Sequence, residues 1–460
     1  MLQTYIQNKK VFHFTDPSKT DIHENIFTII VGKNGSGKSR LLSSIVSEFI
    51  DTSRKDLFYN DIGFRELSFK GTLQHSGSPQ KIITASTSPF DRFPLGRKFE
   101  HIVGYSYLGL RDLPSQNFGL AYMSKIISSL LESLIEDSKQ MKGITSVLNY
   151  LGYNNGIQIR IEPRLGNRLA YEISKSSNTD SVQVFEEIFN KRSIGPVVPI
   201  NKRFFYHPDG TVDENKVDLL IETIREWYPI RSRKHIHIDI GEAGISSEEL
   251  LNIPLRQLIF LMHSGILRLR EVNLSKINTN KLYSIIDASS GEQSVVMGFL
   301  GIASQIKDNC LICIDEPEIC LHPEWQEKYI KLLLDTFKHY KGCHFLIATH
   351  SPQIISNLDT NNCFVLSMDT GKITNADSLI NNSIDFQLAN VFKSPGFKNE
   401  YLSRIALSIF TKVSSKKQFD NKDTDNYAIL VSQENYLDKE DPVYTLLLAI
   451  KKLYKLYARN

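Results

Sequence analysis

Hydrophobic and polar positions change period sharply near residue 32. Ile29, Ile30 and Val31 form a β-branched run that stops at Gly32, and from Ser39 onward Leu41, Leu42, Ile45, Val46 and Phe49 recur on one helical face. The pattern predicts a strand, a short loop and a helix over 40–50. Before it, residues 1–31 read as short strands with a polar turn around Asp16 to Glu24. After it, Lys81–Ser86 reads as a strand, followed by a turn, SPFDRFP, and a further strand at Tyr105–Gly109. Helical periodicity then takes over at Ile126, Ile127, Leu130, Leu131, Leu134 and Ile135, and returns at Val217–Trp227 and Leu250–Leu267. Strict alternation at Ile157–Ile161 and His235–Ile240 predicts half-buried strands between these helices. From Ile285 the order is an apolar helix (Val295–Ile306), a strand (Leu311–Ile314), a helix after Pro323, and a strand (His344–Ala348). A hairpin follows, from Cys363–Leu366 through a turn at Thr370-Gly371. The last 80 or so residues read as polar and then helical, Tyr444–Tyr457. No heptad repeat is sustained for several turns, which argues against a long coiled-coil arm.

Strands alternating with helices predict an α/β protein with a parallel or mixed sheet. The 460 residues are enough for two or three structural units. A hydrophobic fraction of 41% and a charged fraction of 23% are those of an ordinary globular protein. A net charge of +3 gives no global case for nucleic acid, so any basic surface is local. No stretch approaches the roughly 20 apolar residues of a membrane span, the N-terminus has no secretory pattern, and five cysteines fit a reduced cytoplasmic setting.

The loop between the first strand and helix carries the chemistry. Gly32, Gly35, Gly37, Lys38 and Ser39 match G-x-x-x-x-G-K-[ST] at every specified position. Glycines let backbone N–H groups curl round phosphate oxygens, the Lys38 ammonium reaches the β/γ-phosphates, and the Ser39 hydroxyl ligates Mg²⁺. Asn34, Ser36 and Arg40 complete the expected contact set for ATP. At the tip of the Leu311–Ile314 strand stand Asp315 and Glu316, where ligands of parallel sheets gather. Asp315 is the expected Mg²⁺ ligand and Glu316 the group that polarises the attacking water. His350, at the end of the next strand in A-T-H-S-P, is placed to touch the γ-phosphate.

Three further clusters have two readings each. Cys310 and Cys313, with Cys320 and His322 beyond, invite a zinc site, yet cysteines three apart in an apolar strand point to opposite faces. His235 and His237 share one strand face, as metal ligands or as surface histidines. Lys202-Arg203 and Arg231, Arg233 and Lys234 lie among Phe204, Phe205, Tyr206, Trp227 and Tyr228. Arginine among aromatics suits single-stranded nucleic acid, and solvated faces beside a core patch account for it equally well.

The ordered motifs resemble the ABC-type ATPases, in particular the branch with SMC, RecF and OLD-like proteins. In that family ASSGEQ (Ala288–Gln293) looks like the signature motif, with Ser289 and Gly291 matching its serine and glycine and Glu292 standing where transporters often have glutamine. A signature loop caps the γ-phosphate held by a second subunit, so the resemblance implies a head-to-tail dimer or higher oligomer with ATP at the interface. It makes His350 the switch histidine. It also implies an ATPase head at 1–115 and 281–375, an inserted helical/α+β lobe at 116–280, and a partner-binding helical appendage at 376–460.

Ser88–Pro94, the Tyr107–Leu110 step and DEPEICLHPEWQ are similar to the PtuA ATPase subunits of Septu and retron-associated anti-phage systems. Those subunits partner an HNH nuclease, PtuB. In the retron-associated systems a reverse transcriptase and its DNA/RNA product are expected partners too. The alternative is a RecF-like repair ATPase that binds DNA directly. Two departures stand out. Where the family has a glutamine contacting Mg²⁺, this chain reads Ser86-Thr87-Ser88-Pro89, leaving Thr87 or Asp91 as substitutes. A Toprim nuclease needs an Asp-x-Asp pair after a strand, and none follows Tyr427–Val431, the tail segment that reads as one. The chain is therefore expected to be an ATPase and not itself a nuclease.

Overall fold

The computed structural model describes residues 1–54, 71–95, 104–111, 118–136, 140–165, 170–171, 173–174, 181–186, 200–207, 209–227, 235–242, 244–247, 254–279, 281–356, 358, 361–380 and 382–458. In chain order, β1 (Leu2–Gln7), β2 (Lys10–His13) and β3 (Ile26–Val31) lead to α1 (Lys38–Arg54). Next come β4 (Thr72–His75), β5 (Lys81–Ser86) and β6 (Tyr105–Leu108), then α2 (Phe118–Glu136) and α3 (Gln140–Tyr150). The middle of the chain supplies β7 (Tyr153–Pro163), α4 (Glu214–Trp227), β8 (Ile236–Gly241), β9 (Gly244–Ser246), α5 (Leu255–Ser264), β10 (Leu267–Lys276) and β11 (Leu282–Ser284). The core is completed by α6 (Ser290–Ala303), β12 (Cys310–Asp315), α7 (Pro323–Phe337), β13 (His344–Thr349), α8 (Pro352–Ser356), β14 (Cys363–Ser367) and β15 (Ile373–Asn375). Four helices follow, α9 (Ile384–Asn390), α10 (Glu400–Lys416), α11 (Asn421–Gln433) and α12 (Pro442–Tyr457).

A seven-stranded sheet in the order β15-β14-β3-β13-β12-β5-β6 forms the head. Its strands run parallel except the antiparallel edge pair β14–β15, which makes it a mixed sheet. Every residue of β3, β12 and β13 is buried, because helices and a second sheet cover both faces. On one face Ile30, Ile82, Leu311 and Leu346 pack with Leu41, Leu42, Ile45 and Val46 of α1 and with the small sheet β2-β1-β4. On the other, Ile29, Ile83, Ile312 and Ile347 meet α2, α3, α6 and α7. Cys310 lies in the second of these cores and Cys313 in the first, on opposite faces as three-residue strand spacing requires.

The lobe is built on an antiparallel sheet, β11-β10-β7-β8-β9, whose strands alternate buried and accessible positions. Its buried side joins the core of the head. Two expectations fail here and in the tail. The helix read over Leu250–Leu267 ends at Ser264, where Gly265 takes φ 84° and its N–H returns to the Met262 carbonyl. Leu267 then opens β10, a ten-residue strand central to the lobe sheet. Tyr427–Val431 is not a strand but part of α11, within a tail that is helical as the appendage reading expected. Leu402, Ile405, Ala406, Ile409 and Val413 of α10 supply the apolar stripe of a separate small core with α11 and α12.

Candidate nucleotide site

Parallel strands β3, β12 and β13 end at the same edge, because their registers align Val31 with Thr349 and Asp315 with Ala348. That edge therefore brings together the phosphate loop, Asp315-Glu316 and His350. Gly35 and Gly37 take φ values of 77° and 96°, the left-handed region that a side chain disfavours. Gly32 is required for space, since a Cβ there would come within 2.7 Å of Ser36 Oγ and 2.9 Å of Met368 Cβ. The loop closes on Lys38, whose Nζ donates to the carbonyls of Gly32 (2.8 Å) and Lys33 (3.3 Å). Burial lowers the Lys38 ammonium from its ordinary value, against the opposing fields of Glu316, Glu318 and Asp315. Asn34 and Arg40 are exposed on the same loop and helix start.

Ser39 Oγ donates to Asp315 Oδ1 at 3.1 Å, so the two expected magnesium ligands adjoin. Asp315 is 1% exposed. Burial pushes its carboxyl up to about 7, with Glu316, Asp91 and Glu318 adding to the rise and the Ser39 hydrogen bond opposing it. A buried carboxylate among other carboxylates is short of positive charge, which fits a divalent cation. Ser36 Oγ is buried in the loop without a hydrogen-bond partner, which fits a phosphate oxygen. The residues present thus suit both ATP and Mg²⁺.

Glu316 adopts φ 51°, unusual for a side chain other than glycine, while its N–H still donates to the Ala348 carbonyl (2.9 Å). Strain of this kind concentrates at functional sites. Its carboxylate is partly exposed and its Oε1 lies 3.6 Å from His350 Nδ1. Thr87, one of the two expected stand-ins for the missing glutamine, donates from Oγ1 to the Glu316 carbonyl (3.1 Å). Asp91, the other, is committed elsewhere: it accepts from Tyr107 OH (2.6 Å) and Arg111 Nε (3.1 Å) and is buried.

The signature segment opens α6. Ser289 is its N-cap, its side chain accepting from the Glu292 N–H at 3.2 Å. Gly291 abuts the chain beyond the Asp315-Glu316 turn, where a Cβ would stand 2.9 Å from the Cys320 carbonyl oxygen. The Glu292 carboxylate accepts a hydrogen bond from Tyr153 of β7, and Lys276 of β10 lies 3.7 Å away. This ties the signature helix to the lobe, a link that residues so far apart in sequence did not disclose.

Sequence reasoning also assigned no role to Glu318. It is buried, and its Oε1 accepts from Thr349 Oγ1 and the His350 N–H, both at 2.7 Å. The D-E-P-E spacing was its one visible signal. Tyr436 was missed too. Its ring, in the short turn after α11, lies 4.3 Å from Lys33 Nζ of the phosphate loop. Arg231, Arg233 and Lys234 of the basic cluster lie outside the described residues.

Residues 131–356 match a family described as "AAA domain, putative AbiEii toxin, Type IV TA system". The match takes in the signature segment, Asp315-Glu316 and His350, while the phosphate loop precedes it. That match spans just under half of this chain, and the glycine loop after β3 with Ser39 against Asp315 is the arrangement of a phosphate-loop α/β fold. The "Retron Ec83 probable ATPase" of Escherichia coli is 24% identical to this chain over 386 residues, covering 74% of this chain and 66% of the relative, just under two thirds of its length. Among solved structures, an Smc head with an extended coiled coil bound to the C-terminal domain of ScpA, from Pyrococcus furiosus, aligns at 12% identity. It covers 82% of this chain and 97% of that one, with a TM-score of 0.31. An SMC head from Thermotoga maritima aligns at 13% identity over 81% of this chain and 98% of that one, with a TM-score of 0.28. Among the described residues, no helix is long and apolar enough to cross a membrane.

Proposed function

We propose that this chain is an ATPase that works as a head-to-tail pair of copies, each holding ATP on its own phosphate loop and capping its mate's γ-phosphate with Ser289. The observation that carries this reading is the convergence of Lys38, Ser39, Asp315, Glu316 and His350 at one edge of the sheet. The Lys38 ammonium and loop N–H groups bind the β- and γ-phosphates. Ser39 and Asp315 would hold a magnesium ion, which would supply positive charge to the phosphate oxygens. Glu316 orients a water and accepts its proton as it attacks, and His350 lies beside the γ-phosphate. The Ser289 end of α6 offers backbone N–H groups to the partner's nucleotide.

The biological setting we propose is a retron-linked anti-phage system, in which this nucleotide cycle restrains or directs a separate nuclease of HNH type. The Escherichia coli relative's retron name supports it, and so does the resemblance of DEPEICLHPEWQ to the PtuA subunits. The test is phosphate release by the purified chain, with and without Mg²⁺, followed by isolation of the native complex with its neighbouring gene products. Magnesium-dependent turnover and a co-purifying nuclease are expected. Absence of turnover overturns the enzymatic reading, and a complex lacking any nuclease overturns the defence reading.

A further inference from the structure

Glu318 is a buried carboxylate in an unusual setting. The turn Asp315-Glu316-Pro317-Glu318 leaves β12 with Glu316 at φ 51° and closes with Ile319 N–H on the Glu316 carbonyl (3.3 Å) and Leu321 N–H on that of Glu318 (3.0 Å). The Glu318 side chain thereby reaches the end of the neighbouring strand, β13. Its Oε1 accepts from Thr349 Oγ1 and the His350 N–H, and the same oxygen lies 3.3 Å from His350 Nδ1. Glu316 Oε1 lies 3.6 Å from that nitrogen, so both carboxylates face the same atom of the ring. Glu318 Oε2 is buried with no hydrogen-bond partner among the described residues. Lys38 feels the field of Glu318 together with those of Glu316 and Asp315, which places this carboxylate electrostatically within the nucleotide site.

Burying a carboxylate costs several kcal/mol unless it is well compensated. An uncharged acceptor could hold the Thr349 and His350 donors at less cost. Those two bonds alone do not account for a carboxylate at this position. A histidine whose Nδ1 faces carboxylates presents Nε2 to the pocket, and in its protonated form that atom donates to a phosphate oxygen.

We propose that Glu318 is a positioning residue for hydrolysis, fixing both the backbone and the ring of His350 so that His350 and Glu316 keep one relative orientation toward the γ-phosphate. This rests on the hydrolytic reading above. Thr349 shares the task, because its hydroxyl donates to Glu318 and accepts the Ser351 N–H (3.0 Å).

The test is a double-mutant cycle read in steady-state ATP turnover. Glu318→Gln keeps both acceptor contacts and removes the charge. It is expected to retain ATP affinity and KM within about twofold while kcat falls at least tenfold, a loss confined to the chemical step. In a His350→Ala background the same substitution is expected to cost nothing more. Thr349→Val, which keeps the charge but loses one donor, is expected to give a smaller kcat loss that also vanishes in the His350→Ala background. It serves as the second probe should Glu318→Gln fold poorly. Wild-type kcat in Glu318→Gln, a rise in KM alone, or equal losses with and without His350 would each overturn the inference while leaving the hydrolytic reading intact. Failure of the wild-type chain to turn over ATP would overturn both.

Discussion

Single residues divide the work of the site according to burial. Lys38 is 5% exposed and bound to loop carbonyls, so it is preorganised rather than recruited. Lys38→Ala should abolish nucleotide binding, read by titration with a fluorescent ATP analogue, while the fold survives. Glu316 is different, since its carboxylate is partly exposed and lies beside His350 Nδ1. Glu316→Gln should bind ATP as the wild type does, lower turnover by about 10²–10⁴-fold, and accumulate as a nucleotide-bound dimer on size exclusion. Turnover at the wild-type rate would remove Glu316 from the role of base. A third residue governs acid stability. His344 Nε2 lies 2.9 Å from Thr28 Oγ1, whose proton goes to the Phe14 carbonyl, so Nε2 must be the donor. Its Nδ1 is buried without a partner, and burial lowers the ring to about 3. The unfolded chain, with an ordinary histidine near 6.5, takes up a proton across that window that the folded chain refuses. Stability from this group is thus complete above about pH 6.5 and lost progressively as pH falls toward 3, by up to about 1.4 kcal/mol per unit. His344→Leu should flatten the dependence of the urea midpoint on pH in that range.

At the scale of elements, the signature helix is where position matters most. Ser289 caps α6, and its loss to alanine should cost about 1 kcal/mol of stability, measured by denaturant unfolding. Gly291→Ala has a different consequence. Its methyl group would meet the Cys320 carbonyl oxygen at 2.9 Å, backbone that cannot give way cheaply. The helix start should shift, lowering turnover while leaving ATP binding by the isolated chain unchanged. The same helix is held to the lobe through Glu292, Tyr153 and Lys276. The elements nearest the chemistry were legible in sequence because fully buried strands and their glycine and acidic punctuation are local patterns. The helix ending at Ser264 was misread because Leu267 kept the apolar register going past Gly265, whose left-handed conformation alone stopped it. Tyr427–Val431 was misread for a related reason: α11 is polar on most of its surface, and its partners on α10 and α12 decide that it is a helix.

For the whole molecule, the central expectation is that neither copy has a complete pocket of its own. Chains carrying Lys38→Ala and chains carrying Ser289→Arg should each be inactive alone. Mixed, they should regain turnover, because each mixed dimer unites one intact phosphate loop with one intact signature loop. A mixture that stays inactive while both chains are folded would sink the paired arrangement. The sequence by itself determined the phosphate loop, the acidic pair after a core strand, the histidine after the next, and the signature-like segment. Each is a short run whose spacing the chemistry imposes directly. Only the tertiary structure decided which distant groups meet them. Glu318 backs His350 because β12 and β13 are parallel neighbours in one register, and Asp91 is withdrawn by Tyr107 and Arg111. Glu292 joins the lobe across more than a hundred residues, and Tyr436 reaches Lys33 from the far end of the chain. Such pairings follow from packing, which fixes partners by shape and burial over separations that no local pattern encodes.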